Sequence, residues 1–236
     1  MLELIRIGKV FNAGKHNEYA AVRDISLGIE ANRVTVLKGA SGSGKTTLLS
    51  IMGCMARPTS GRMKIHGLQL PGFSEDSSAG VEVTSLPERF LTEIRRRTFG
   101  FIFQQFHLIK GIKVLENIML PAYPFGESHG KLRRRVEQLS ELFDLKRQAS
   151  SRVEWLSGGE AQRVAICRAL MNDPAVIIAD EPTAHLDTKL SRDFMEIVAR
   201  FKGEGKTTLI ASHDPLVYES PVVDRVITLR DGRVEG

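Results

Sequence analysis

Apolar residues in this chain fall into two patterns. Short apolar runs bounded by turn residues predict buried strands at 34–37, 99–103, 175–179 and 207–211. Apolar residues that recur every three or four positions predict helices at 47–55, 87–97, 131–145, 157–171 and 187–201. Because strands and helices alternate, the pattern favours an α/β fold with a mostly parallel sheet.

The remaining segments complete the predicted architecture. Further strands are expected at 2–7, 24–29, 62–65, 226–229 and 233–234, the last two joined by the favoured turn pair Asp231-Gly232. The stretch 70–86 is rich in Pro, Gly and Ser, which predicts an exposed loop. The helix-rich middle of the chain, roughly 106–170, predicts a subdomain inserted between strands of the sheet.

One stretch between a predicted strand and a predicted helix carries the strongest chemical signal. It fits the pattern G-x-x-x-x-G-K-[ST] and consists of Gly39, Ala40, Ser41, Gly42, Ser43, Gly44, Lys45, Thr46 and Thr47. The glycines let backbone N–H groups turn inward, and the following helix presents its N-terminus to the same anion. Lys45 adds a charge for the outer phosphates, and the Thr46 hydroxyl suits Mg²⁺. The stretch therefore predicts a site for the phosphates of a nucleotide.

Composition and charge narrow the class of protein. The chain has 236 residues, 42% of them hydrophobic, which is enough for a sizeable core. Its net charge of +5 suits an anionic ligand or surface. No aromatic residues interleave with the arginine clusters at 95–97 and 133–135, as base stacking would require, so solvated helix faces are favoured over nucleic-acid binding. Cys54 and Cys167 lie in apolar helical contexts and predict buried free thiols. With neither a signal peptide nor a membrane-spanning apolar stretch visible, we expect a chain that is soluble by itself and reaches a membrane through another subunit.

Two carboxylates follow the apolar run at 175–179. A phosphate-binding α/β protein places its ligands at the carboxyl ends of strands. There Asp180 can hold Mg²⁺ through water, and Glu181 can orient and deprotonate an attacking water. The structural alternative is an Asp-Glu-Pro turn at a strand end, but the nearby phosphate loop favours catalysis.

A second candidate anion site is the segment Leu156-Ser157-Gly158-Gly159-Glu160. Ser157 and Glu160 have the spacing of a capping box, so a structural cap remains an alternative. A cap does not require two glycines, whereas glycine N–H groups at a helix N-terminus can bind phosphate. Since one phosphate loop serves one nucleotide, a second site indicates a nucleotide shared between two copies of the chain.

Together these motifs resemble those of the ATP-binding subunit of ABC transporters, and the resemblance covers nearly the whole chain. The segment 156–160 followed by Gln162-Arg163 is the most specific match, the signature of that family. The resemblance implies that Gln104 is the Q-loop glutamine, which ligates Mg²⁺ and senses the γ-phosphate. It also implies that 184–187 is the D-loop and that His213 is the switch histidine that contacts the γ-phosphate. Taken singly, Gln104 would be a surface amide and His213 a strand-end histidine.

The resemblance further implies a P-loop NTPase fold of ABC type in a single domain over 1–236. That domain would have a mostly parallel, RecA-like core, an N-terminal antiparallel β subdomain and the helical subdomain at about 106–170. ATP and Mg²⁺ would be its ligands, the metal held by Thr46, Gln104 and Asp180. Hydrolysis would depend on Lys45, Gln104, Glu181 and His213. Two copies would close head to tail, so that ATP meets 39–47, Phe11, Gln104, Asp180 and His213 of one copy and Ser157, Gly158, Gly159 and Glu160 of the other.

Two apolar features have open alternatives. Phe11 stands where the family places an aromatic residue against adenine, but that residue is more often Tyr, and Tyr19 is near in sequence. A core phenylalanine at a strand end is the structural alternative for Phe11. The apolar run 106–109 after Gln104 is either a docking patch for a partner or part of the core of the helical subdomain.

The segments 99–109, 117–121 and 183–187 look most like the LolD/MacB/FtsE-like branch, which includes lipoprotein-release, macrolide-export and cell-division ATPases. This implies integral membrane permease subunits that dock near the Q-loop, no nucleic acid, and a location on the cytoplasmic face of the inner membrane. The alternative is a soluble ABC ATPase that acts on nucleic acid or ribosomes. Such proteins usually carry an inserted coiled coil, a zinc module or tandem ATPase domains, and none of these is present. The sequence names neither the transported substrate nor the direction of transport.

Overall fold

The computed structural model describes residues 1–68, 80–184 and 186–235. The strands in these residues are β1 (Leu2–Phe11), β2 (Tyr19–Ile29), β3 (Val34–Lys38), β4 (Ser60–Ile65), β5 (Val81–Glu82), β6 (Phe99–Ile102), β7 (Val176–Asp180), β8 (Thr207–Ser212), β9 (Arg225–Arg230) and β10 (Arg233–Val234). The helices are α1 (Lys45–Met52), α2 (Glu88–Thr98), α3 (Val114–Met119), α4 (His129–Leu142), α5 (Gly158–Leu170), α6 (Thr188–Gly203) and α7 (Pro215–Tyr218). Short 3₁₀ helices cover Leu120–Phe125 and Val153–Trp155.

The larger sheet has the strand order β10-β9-β3-β8-β7-β6 and is parallel except for its edge strand β10. Its central strands are buried on both faces, which explains why their sequences are continuous apolar runs. One face packs against α3, α4, α5 and α6, and the other against α1 and the second sheet. The prediction of a mostly parallel α/β sheet is therefore confirmed.

The smaller sheet is antiparallel, in the order β2-β1-β4-β5. Its apolar face shares a core with α1, where Leu4, Ile25, Leu48 and Met52 are all buried. Part of the predicted loop at 70–86 is wrong, because residues 81–82 pair with the end of β4 as strand β5. Residues 69–79 lie outside the described part of the chain.

Several predicted boundaries move by a few residues. Helix α1 was expected at 47–55 but begins at Lys45 and ends at Met52. It begins earlier because its N-cap is Gly44, whose left-handed backbone ends the loop one residue before Lys45. Helix α3 was not predicted at all. Its six residues include the buried Val114, Ile118 and Met119, and a segment this short is too brief to display a period. In the described residues, no helix is long and apolar enough to cross a membrane.

The order of strands brings the candidate chemistry to one edge. Strand β8 lies between β3 and β7, and all three run in the same direction. Lys38 pairs with Ser212, and Asp180 pairs with Ala211, so the three carboxyl ends are adjacent. The loop after β3, Glu181 after β7 and His213 after β8 therefore leave the sheet at the same place.

The two cysteines are confirmed as buried free thiols. Burial raises the pKa of the Cys54 thiol to about 12 and raises that of Cys167 as well. Neither thiol is therefore ionised near neutral pH, and neither is a reactive group.

Candidate functional site

The phosphate loop packs tightly against the strands beside it. Gly44 has φ +100°, and a Cβ there would lie 2.3 Å from the carbonyl oxygen of Ala21. A Cβ on Gly39 would lie 2.4 Å from the carbonyl oxygen of Leu229. Gly42 has φ +80°, and a Cβ there would have no atom within 4 Å, so the outer side of the loop is open. The glycines thus close the loop on the protein side and leave its other side free for a ligand.

Lys45 lies inside this loop with its side chain almost fully buried. Its Nζ donates hydrogen bonds to the carbonyl oxygens of Gly39, over 2.7 Å, and Ala40, over 3.1 Å. It also lies 3.3 Å from Oε1 of Glu181. An ammonium group has three donors, so these three acceptors satisfy it.

The loop contains an unsatisfied polar atom that fits a phosphate ligand. The Oγ of Ser43 is buried and has no hydrogen-bond partner in the described part of the chain. A buried hydroxyl without a partner is costly, so a site that leaves one unpaired commonly has a missing ligand. Thr46 Oγ1 donates to Asp180 Oδ1 over 3.0 Å, which places two hard oxygen atoms next to the lysine. This donor set fits the phosphates of a nucleotide and an accompanying Mg²⁺.

Asp180 and Glu181 end strand β7 in different environments. Burial is the largest cause that raises the pKa of Asp180, and the nearby charge of Glu181 raises it further, whereas Thr46 and Lys45 lower it. Glu181 has φ +43°, and its N–H donates to the carbonyl oxygen of Ala211 over 2.9 Å. A left-handed backbone is unusual for glutamate and is typical of residues held in place for function.

The carboxylate of Glu181 joins two other candidate residues. One oxygen faces Lys45, and the other lies 2.9 Å from Nδ1 of His213. Only 12% of the Glu181 side chain is exposed, whereas 64% of the His213 side chain is exposed. The structure therefore joins Lys45, Glu181 and His213 in one network, in which the carboxylate contacts both other groups and the imidazole is the most exposed member.

Gln104 is the candidate that this network does not include. It is exposed just beyond the end of β6, and no hydrogen bond to it occurs among the described residues. Its neighbour Phe103 lines a narrow cleft of about 70 Å³ together with Thr46 and Asp180. Gln104 thus follows a residue that lines the cleft, but it is not itself among the lining residues and does not contact Thr46 or Asp180.

The two aromatic candidates form a pair. The rings of Phe11 and Tyr19 stack with their centroids 5.2 Å apart and an interplanar angle of 19°. Phe11 also has the ammonium of Lys9 at 5.2 Å, whereas Tyr19 is 55% exposed. Tyr19 is two residues from Ala21, which touches the phosphate loop. Both rings are therefore near that loop and together form one aromatic surface on which a base can stack.

The signature segment makes the cap that its spacing allows. Ser157 Oγ accepts from the Glu160 N–H over 3.3 Å, and Glu160 Oε2 accepts from the Ser157 N–H over 2.8 Å. The Ser157 N–H and the Ser157 hydroxyl both donate to the Glu160 carboxylate, and they lower its pKa. A Cβ on Gly159 would lie 3.0 Å from the Leu190 side chain, so packing explains this glycine. A Cβ on Gly158 would have no atom within 4 Å, so nothing described in this chain requires that glycine.

The signature segment and the phosphate loop are not joined within one chain. The side-chain hydrogen bonds of Ser157 and Glu160 in the described residues are to each other and to Gln148. Among the described residues, no hydrogen bond or ion pair joins the first turn of α5 to the phosphate loop.

Two contacts around Glu181 were missed by sequence reasoning. Gln162, buried on helix α5, donates to the carbonyl oxygen of Pro182 over 2.9 Å. Thr183 Oγ1 lies 3.2 Å from Asp214 Oδ2, which links the segments that carry Glu181 and His213. A polar residue on the apolar side of the signature helix was the available signal for Gln162. His185, in the predicted D-loop, lies outside the described residues.

Comparisons with known proteins identify the family of the chain. A family model described as ABC transporter matches residues 22–184. An uncharacterized ABC transporter ATP-binding protein of Thermotoga maritima is 37% identical over 100% of this chain and 94% of its own length. The macrolide export ATP-binding/permease protein MacB of Burkholderia pseudomallei is 38% identical over 100% of this chain, which spans only 34% of that relative.

Solved structures give the same assignment. The dimeric structure of MJ0796, a bacterial ABC transporter cassette, matches with a TM-score of 0.86 and 35% identity, covering 100% of this chain and 97% of that one. A second structure of that cassette is a dimeric post-hydrolysis state bound to ADP and Pi, with the same TM-score of 0.86. The chain therefore belongs to the ABC transporter family, as one of its ATP-binding and ATP-hydrolysing subunits.

Proposed function

We propose that two copies of this chain close head to tail around two ATP molecules and that this cycle drives a membrane permease. The observation that carries the proposal is the division of the site. Lys45, Glu181 and His213 meet at one edge of the sheet, whereas no hydrogen bond or ion pair among the described residues links them to the first turn of α5. A second copy supplies the missing half.

Lys45, Glu181 and His213 carry out the hydrolytic step. An incoming γ-phosphate competes with Glu181 for the Lys45 ammonium, because it carries more negative charge than a carboxylate. Glu181 is then free to accept the proton of an attacking water, as a general base. His213, still beside the carboxylate, contacts the γ-phosphate from the open side and helps to hold the water in line.

Mg²⁺ would be held by Thr46 and Asp180, with Gln104 reaching them when the site closes. The bound metal supplies charge neutralisation for the phosphates. The paired oxygens of Thr46 and Asp180 support this assignment, and so does the position of Gln104 directly after Phe103, which lines the same cleft. A base stacked on Phe11 or Tyr19 would complete the contacts of the first copy with ATP.

The second copy contributes Ser157, Gly158, Gly159 and Glu160. The open space around Gly158 supports a close approach by another molecule. Glycine at a helix start costs conformational entropy, and no contact within the described chain requires it there. The capping box holds the helix N-terminus in shape while its remaining N–H groups stay available for the γ-phosphate.

The permease would dock in a groove beside the Q-loop. This groove has a volume of about 430 Å³, and its lining includes Phe101, Phe103, His107 and Arg168. Arg168 donates to the carbonyl oxygens of Phe106 and His107, and it lies on α5, the helix that starts at the signature segment. A movement of the docked permease would thus be passed to the signature segment through the single helix α5.

The partly exposed apolar run 106–109, which follows the Q-loop glutamine, supports the same docking site. Leu108 packs against the core, whereas Ile109 is 52% exposed. Residues 106–170 would act as a helical subdomain that carries both the groove and the signature. The permease partner would hold the ATPase on the cytoplasmic face of the inner membrane. The likeness to MacB favours an export, lipoprotein-release or mechanotransmission complex, without naming its substrate.

The partner is tested by capture from membranes. A tagged Glu181→Gln variant, locked with ATP and Mg²⁺, is mixed with detergent-solubilised membranes of its source, and bound proteins are identified by mass spectrometry. The proposal predicts an integral membrane protein that is absent when Phe103→Asp is added to block the groove. A soluble or nucleic-acid partner without any membrane protein would favour the alternative, a soluble ABC ATPase.

A further inference from the structure

The turn that precedes the signature segment holds a large aromatic ring in the open. Trp155 is the one tryptophan of the sequence, and 75% of it is exposed. Among the described residues its indole has neither an aromatic partner nor a hydrogen bond. Exposure of a tryptophan removes a large apolar surface from any packing, so the position demands an explanation.

The exposure does not come from a loosely held backbone. Val153 and Leu156, on either side, both pack against the core. Glu154 Oε1 accepts from the Gly111 N–H over 2.7 Å, and this bond, together with one from its own backbone, lowers the pKa of Glu154. The Trp155 N–H donates to the carbonyl oxygen of Arg152 over 3.2 Å. The backbone is therefore anchored on both sides, and the indole projects from a rigid turn.

The position of this turn indicates what the ring meets. Trp155 precedes the N-cap Ser157 by two residues, so their Cα atoms are within about 7 Å of each other. In the proposed head-to-tail dimer, the N–H groups that follow Ser157 face the phosphates of an ATP molecule held by a second copy. A ring that starts just outside a phosphate site, on a rigid support, lies beside the nucleoside of the same nucleotide.

We propose that Trp155 of one copy stacks on the nucleoside of the ATP bound by the phosphate loop of the other copy. The inference rests on the proposed head-to-tail dimer. It gives the base an aromatic surface from each copy: the Phe11 and Tyr19 pair of the copy that binds the phosphates, and Trp155 of its partner. Trp155 would then be a positioning residue that links nucleotide binding to dimer closure.

The test uses the fluorescence of Trp155, which no other tryptophan obscures. In the Glu181→Gln background, ATP and Mg²⁺ should quench the indole emission, because contact with a stacked purine gives the excited indole a non-radiative route back to the ground state. 2-Aminopurine riboside triphosphate then serves as a second probe, whose own emission should fall when the indole stacks on it. Since the ring belongs to the other copy, both changes should increase with protein concentration in step with dimer formation measured by light scattering.

Substitutions separate stacking from simple burial. Trp155→Leu keeps apolar bulk but loses the aromatic face. It should weaken ATP-dependent dimerisation about a hundredfold, because the dimer loses two base stacks and each typically contributes about tenfold. Trp155→Phe should recover most of that affinity. Tyr123→Leu is the matched control, because Tyr123 is also exposed, at 45%, but belongs to the 3₁₀ helix Leu120–Phe125 and not to the turn before the signature segment.

The outcomes distinguish this inference from the proposed function. Failure of ATP to produce any dimer would overturn both. A dimer that forms without quenching, and that Trp155→Leu leaves equally stable, would overturn the stacking alone and leave the shared ATP in place. Quenching that is independent of protein concentration would assign the ring to the nucleotide of its own copy and would overturn the inference in that way.

Discussion

Thr46 and Asp180, 134 positions apart in the sequence, are joined by a hydrogen bond of 3.0 Å between Oγ1 and Oδ1. The bond connects the first turn of α1 to the end of β7, and it holds a carboxylate that burial alone disfavours. Asp180 has a raised pKa, mainly because of that burial. Asp180, the candidate metal ligand, therefore lowers the stability of the folded chain at neutral pH.

Asp180→Asn should reveal this cost. A raised folded-state pKa means that Asp180 stabilises the fold below its ordinary pKa of 3.8 and that this advantage is lost as pH rises through the raised value. We expect the variant to be at least as stable as the parent at pH 7, and the parent to gain relative to it as the pH falls towards 4. Chemical denaturation at several pH values measures both effects, with Asp193→Asn as an exposed control. A variant that is clearly less stable than the parent at pH 7 would contradict the assigned sign.

Glu181→Gln should separate binding from hydrolysis. The amide keeps the shape of the side chain but cannot accept a proton, so ATP turnover should fall by roughly 10²- to 10⁴-fold. Nucleotide affinity, measured by titration with a fluorescent ATP analogue, should stay equal or rise. Glu196→Gln, on helix α6, controls for loss of a surface charge. Normal turnover in Glu181→Gln would remove this residue from the catalytic role.

Lys45→Ala should weaken ATP binding. It removes a charged donor from the phosphate site and also leaves the poorly exposed Glu181 carboxylate without its cation. Hydrogen bonds to charged groups contribute roughly 1.5–3 kcal/mol, so affinity should fall about 10- to 100-fold. Lys189→Ala, an exposed lysine of α6, should bind ATP like the parent. An unchanged affinity in Lys45→Ala would count against the phosphate-loop assignment.

Gly158→Ala should affect the dimer without harming the monomer. No atom of the described chain lies within 4 Å of the added Cβ, and alanine favours a helix, so stability should be equal or up to about 1 kcal/mol higher. Gly130→Ala is the matched control, because Gly130 also lies in the first turn of a helix with open space around it. Only the Gly158 variant should weaken ATP-dependent dimerisation. If both variants dimerise like the parent, Gly158 does not face the partner copy.

Much of this site was accessible from sequence because its residues follow strands. The apolar runs before Lys45, Glu181 and His213 predicted three buried strands, and parallel strands bring their carboxyl ends together. The contact of Glu181 with both Lys45 and His213 was not predicted, because it depends on the order β3-β8-β7 and on a left-handed backbone at Glu181. Neither of these leaves a pattern in a single sequence.

Other features were missed for different reasons. Helix α3 is too short to show a helical period, and the pairing of residues 81–82 with β4 is a tertiary contact of a segment with little apolar character. The stack of Phe11 on Tyr19 depends on the register of β1 with β2, which places the two residues opposite each other. The signature segment was found by its glycines, but its capping box alone would have supported a purely structural role.

The central claim, an ATP molecule shared between two copies, is tested most directly by the mass of Glu181→Gln in solution. Light scattering should give the 26.2 kDa monomer without nucleotide and twice that mass with ATP and Mg²⁺. Ser157→Arg in the same background should still bind ATP and remain a monomer, whereas Ser128→Arg, at the start of α4, should dimerise. A Glu181→Gln protein that is saturated with ATP and still has the mass of one chain would contradict the account.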